Sequence, residues 1–162
     1  MLNSAVVSAW LWVHVGVLLI VVAYATCGSA LLGPVADRGR ERLGRAPLRT
    51  LLVGLGLSVP WMVAAITLMS LPNGILKLVG ASLTVAWVAT SLLGMSSLAM
   101  HVGARGDAGA ARWTTVARGG ALISLTWMLP IVGWFVAMPL SLACGAGCLV
   151  LSLRRESSLA LA

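Results

Sequence analysis

Residues 119–153 read GGALISLTWMLPIVGWFVAMPLSLACGAGCLVLSL, an apolar stretch from Gly119 to Leu153 without a single charged side chain. As one helix it would be ~52 Å long at 1.5 Å per residue, well beyond the ~30 Å hydrocarbon core of a bilayer. The stretch has to break, and the break is written as Leu129-Pro130-Ile131-Val132-Gly133-Trp134. It divides the run into a short arm over about 119–130 and a longer arm over about 134–153 that passes through Pro139. A short arm that enters partway and a long arm that leaves form a re-entrant hairpin, tolerable in lipid where it packs against protein. Pro130, Gly133 and Pro139 are the residues expected to shape it.

The rest of the chain belongs to the same solvent. Its 162 residues are 60% hydrophobic and 9% charged, with a mean hydropathy of +1.02, whereas soluble chains carry roughly 25% charged residues. A water-soluble globule is excluded. At ~20 apolar residues per crossing there is room for four or five crossings and no separate soluble domain, so residues 1–162 are read as one integral membrane domain.

Upstream of the hairpin, three full spans are predicted. The first covers about 4–32 and stops at Gly33-Pro34, with Trp10 and Trp12 suited to an interfacial belt. No Lys or Arg precedes it, so it lacks the basic region of a cleavable signal and is read as retained. The second, about 48–71, contains Pro60, which a membrane helix survives as a kink. The turn Ser70-Leu71-Pro72-Asn73-Gly74 leads to the third, about 75–100, with Lys77 placed to snorkel outward. The fold class is thus an all-α polytopic bundle of four or five hydrophobic helices. A short duplication is also suggested, since Arg49 to Pro60 and Arg118 to Pro130 each run from Arg through an apolar arm to Pro.

Two polar connections remain. Val35 to Arg49 holds five arginines, of which Arg38, Arg42, Arg45 and Arg49 would share a face if the segment were helical. Gly39, Gly44 and Pro47 speak against a helix there. The second connection, His101 to Ala117, is rich in Gly and Ala and holds Arg105, Asp107 and Arg112.

The net charge of +7 sits almost wholly in these connections and beyond Leu153, which marks it as a topology signal rather than a nucleic-acid surface. Placing Val35 to Arg49 in the cytoplasm puts Arg105 to Arg118 there too. A hairpin then returns Arg154 and Arg155 to the same side, giving N-out and C-in. Ten of the eleven basic residues are Arg, a bias that high-GC coding produces, and the expected location is a bacterial inner membrane.

His14 is the one ionisable side chain well inside the first span and so the candidate haem or metal ligand. His101, its only possible histidine partner, lies near the other membrane face, which favours a packing role for His14. Cys144 and Cys148 share a helix face but have no third ligand nearby. With Cys27 they are read as free thiols packed as small hydrophobes. Ser141, Gly145 and Gly147 lie in a strip of small residues suited to close helix contact. The carboxylates Asp37, Glu41, Asp107 and Glu156 are all outside the apolar runs. No catalytic set, metal site or cofactor is expected, and Arg38, Arg42, Arg45 and Arg49 are assigned to lipid or partner contact.

Pro34 and the Arg-containing linker to Pro47, the arm Leu51-Leu52-Val53-Gly54-Leu55, and Ala65-Ile66-Thr67-Leu68-Met69-Ser70-Leu71-Pro72 follow a familiar order. They are completed by Leu129-Pro130-Ile131-Val132-Gly133-Trp134 and Gly145-Ala146-Gly147. In these features the chain resembles the multi-pass membrane region attached to bactofilin-type, polymer-forming cytoskeletal proteins of bacteria. The turn departs from that pattern, with Ser70-Leu71-Pro72 where the family usually has Gly-Ile-Pro, and these residues include no polymer-forming β-domain. The resemblance implies a membrane anchor or scaffold and transfers no catalytic residue.

The expected function is therefore a non-enzymatic scaffold, anchor or accessory subunit that packs against membrane lipids and either another membrane protein or a second copy. The alternative is a small oligomeric channel or transporter with a water-filled gap lined by Ser58, Thr67, Thr84 and Thr126. A further alternative is an electron-transfer subunit that ligates a cofactor through His14.

Overall fold

The computed structural model describes residues 4–106 and 109–160. Asp107 and the side chains of Arg154, Arg155 and Glu156 lie outside the described set. The regular elements among the described residues are all helical: α1 (Ser4–Leu31), α2 (Gly33–Arg45), α3 (Pro47–Ser70), α4 (Gly74–Gly103), α5 (Arg112–Trp127), a π-helical turn (Gly133–Ala137) and α6 (Met138–Ala160). Four segments are long and apolar enough to cross a bilayer: Val6–Leu31, Pro47–Ser70, Gly74–Gly103 and Gly133–Leu153. The protein is a multi-pass helical membrane protein.

α4 is the hub, in contact with each of the other five helices, while α6 packs on α2, α3 and α4. Glycines give the directions. Gly103 meets Thr115 and Gly119 meets Ala99, so α5 runs back along α4. Trp87 and Met138 line one crevice, Gly145 meets Ser91 and Met95, and Ser97 and Cys148 both meet Gly39, so α6 runs parallel to α4. The chain therefore reverses between α5 and α6, as the hairpin reading requires. The hairpin's second arm, together with its π-helical turn, is by itself long enough to cross, and α5 reaches ~24 Å.

Local chemistry sets the boundaries. The Asn73 side chain caps α4, accepting from the Ile75 N–H at 3.0 Å, which supplies one of the donors a helix start leaves unpaired. At the other break, the Met128 and Leu129 N–H groups bond to Leu125 O and Thr126 O at 3.1 and 3.3 Å. α5 thus tightens into a 3₁₀ turn before Pro130 ends it. Gly133 then folds back over the end of α5, and a side chain there would run into the Thr126 and Trp127 carbonyls.

Three expectations need correction. Residues 35–49 are not a connection: α2 is helical over Gly33–Arg45. Val35, Ala36, Gly39 and Leu43 are its buried residues, and Gly39 rests on Ser97 and Cys148, where a Cβ would clash. Gly39 is a contact residue here, Gly44 meets nothing, and Pro47 opens α3 at a position where its missing N–H costs little. The short arm also starts earlier than 119, at Arg112, because Thr115 and Val116 are buried and Thr115 seats against Gly103. Pro60, finally, lies inside an unbroken α3, whereas α5 stops before Pro130, so the two arms of the suggested duplication differ in form.

Candidate functional site

The interior is built from backbone contact. Along α6, Leu142 to Leu149 are all buried, a continuous run that a helix achieves only when neighbours surround it. Its small residues allow this. Gly147 abuts Thr50 and Gly54 of α3, Gly145 abuts Ser91 of α4, and Gly94 abuts Gly145 in return. A Cβ at any of these glycines would overlap a backbone carbonyl of the facing helix. Ser141 plays a different part: its Oγ accepts from Trp127 Nε1 at 2.9 Å and donates to Met138 O at 2.9 Å, tying the end of α5 to the start of α6. Pro139 borders a 370 Å³ apolar crevice between α3, α4 and α6.

Sequence reasoning placed Ser141, Gly145 and Gly147 at a packing surface but missed their partners. Thr50 with Gly54, and Ser91 with Gly94, are small residues spaced by four and three. That spacing puts each pair on one helix face and was the available signal.

The channel reading asked for a shared gap at four hydroxyls. Ser58 borders the apolar crevice, where it accepts from Trp87 Nε1 at 3.3 Å. Thr67, Thr84 and Thr126 instead donate to the carbonyls of Val63, Gly80 and Leu122 on their own helices, at 2.8, 3.0 and 2.9 Å. They do not line that crevice.

The arginines with described side chains gather at one end, where the starts of α2 and α5 meet, whereas Lys77 lies near the start of α4 at the other. Arg112 of α5 bonds Asp37 Oδ2 of α2 at 3.1 Å and Gly33 O at 2.9 Å, beside a 260 Å³ cavity that Arg40, Met100 and Thr115 also line. The four arginines expected to share a face diverge. Arg38 turns toward the bundle, donating to Pro34 O at 2.9 Å and Ser152 O at 3.3 Å. Arg42, Arg45 and Arg49 instead border a 220 Å³ groove with Ala46, Thr50 and Leu151. Arg45 lies 3.9 Å from Glu41, both largely exposed, a geometry worth little in water.

His14 sits beside Trp10, its Nδ1 donating to Trp10 O at 2.6 Å with the two rings 5.7 Å apart. It borders a 90 Å³ pocket between α1 and the hairpin, together with Ser124, Trp127 and Trp134. Cys144 and Cys148 are free and buried, and Leu43 of α2 packs against them. Among the described residues no group of three or more His, Cys, Asp or Glu side chains is placed to hold a metal ion. Comparison with protein-family models, with curated proteins and with solved structures gives no match for this chain.

Proposed function

We propose that this protein is a non-enzymatic membrane scaffold, anchor or accessory subunit that acts by helix packing, with another membrane protein or with a second copy. The observation that carries this reading is the close backbone packing of the interior. α3, α4 and α6 meet glycine to backbone at Gly54, Gly94, Gly145 and Gly147, and three of the four hydroxyls that would line a conduit, Thr67, Thr84 and Thr126, are turned to their own helices, while the crevice that Ser58 borders is apolar. A rigid bundle of this kind offers surfaces rather than a path. The bactofilin-type resemblance points the same way, toward an anchor.

The reading includes a location. The ion pair between Arg112 and Asp37 brings α2 and the α4–α5 connection to one end of the bundle, so their basic residues share a side. Under the positive-inside rule that end faces the cytoplasm of a bacterial inner membrane, with the start of α1 outside and the end of α6 inside.

The test is to solubilise the protein from its native membrane in mild detergent, size it, and identify by mass spectrometry what copurifies. A fixed-stoichiometry partner or a defined homo-oligomer is expected. A monodisperse monomer that conducts ions or small solutes in liposomes would replace the proposal with the transport reading.

A further inference from the structure

We infer that the groove bounded by Arg42, Arg45 and Arg49 binds the phosphate of an acidic phospholipid head group. Three cationic side chains border one 220 Å³ space. No described carboxylate is within ion-pair distance of Arg42 or Arg49, and Arg45 has only the 3.9 Å contact to Glu41. Guanidinium groups match phosphate oxygens through paired N–H donors. The groove also lies at the positive, N-terminal end of α3, which adds to the attraction for an anion.

Position selects a lipid as the source of that phosphate. α3 begins its candidate span at Pro47 and the apolar run of α6 gives way to Arg154 and Arg155 in the sequence after Leu153, so a groove lined by Arg49, Thr50 and Leu151 lies where hydrocarbon gives way to water. Leu151 forms an apolar wall, and Leu48 and Leu52 are exposed on the adjoining turns of α3, where acyl chains can lie while the head group meets the arginines. Arg38 is not part of this site, being turned to Pro34 and Ser152. The site does not depend on the scaffold reading.

The experiment places the full chain in nanodiscs of phosphatidylcholine with and without phosphatidylglycerol, reading retained lipid by native mass spectrometry and the thermal unfolding midpoint. Phosphatidylglycerol is expected to be retained and to raise the midpoint. Arg42→Gln with Arg49→Gln should weaken retention on the order of tenfold, while Arg105→Gln with Arg118→Gln, which removes the same charge from the α4–α5 side, should leave it unchanged. Arg42→Lys with Arg49→Lys keeps the charge and loses the fork. It should fold with wild-type helix content and still lose part of the retention, which serves if the Gln pair does not fold. Equal loss in both Gln pairs would overturn the site in favour of diffuse attraction. Inorganic phosphate raising the midpoint equally in phosphatidylcholine alone would overturn the lipid assignment in favour of a free phosphate.

Discussion

α1 and α6 are both long, apolar and able to cross a bilayer, yet they hold opposite places in the bundle. In an apolar 18-residue stretch of the α1 span 6% of the residues are buried, against 50% in such a stretch of the span ending in α6. The buried residues of α1 form one stripe in its C-terminal half, Val21, Ala25, Gly28 and Ser29, while Trp10, Leu11, Trp12 and Leu19 before it stay exposed. The difference is side-chain size rather than hydrophobicity. Lipid tails are as apolar as leucine, so burial in a membrane is won by close packing, and small residues pack where large ones cannot. α6 is small along Ser141 to Cys148 and is enclosed. α1 is mostly bulky along Val6 to Ile20 and stays largely exposed there.

The comparison breaks most readily at the glycines of α6. Gly145→Val pushes a branched side chain into the Ser91 carbonyl and is expected to cost roughly 3 kcal/mol, the upper range for overpacking, read as loss of the folded population in a detergent titration. Gly133→Ala meets the carbonyls at the end of α5 and should cost about 2 kcal/mol, seen as a lower unfolding midpoint with the hairpin loosened first in hydrogen exchange.

Arg112→Ala removes the bonds to Asp37 and Gly33. Because both ionic side chains are substantially exposed, the expected loss is ~1 kcal/mol, with proteolysis before α5 as the readout. Leu19→Ala on the lipid side of α1 should change stability by less than about 0.5 kcal/mol in the same titration. A loss at Leu19 as large as that at Gly145 would mean that α1 is packed against something outside this chain.

Much of the fold was legible because apolar runs and their breaks are local properties. Pro130 and Gly133 marked the reversal, and the strip from Ser141 to Gly147 marked a close contact. What could not be read depends on partners distant in sequence. Gly39 looks like a helix breaker until Ser97 and Cys148 are seen against it. The start of α5 looked like loop because the connection from His101 to Ala117 is rich in Gly and Ala and holds Arg112, and Gly103, against which Thr115 seats, belongs to another helix. The arginine stripe was visible as a spacing, but the division that sends Arg38 to Ser152 and the other three to a groove follows from how α6 packs against α2 and α3.

The native cysteines test the contrast between the two helices without any substitution. Cys27 lies exposed on α1, and Cys144 and Cys148 are buried on α6. The protein in mild detergent is treated with a small membrane-permeant maleimide, and its adducts are followed by mass spectrometry. One adduct, on Cys27, is expected under native conditions, with the other two appearing only after denaturation. Modification of Cys144 or Cys148 at the rate of Cys27 would contradict the enclosed α6 on which the whole description of the bundle rests.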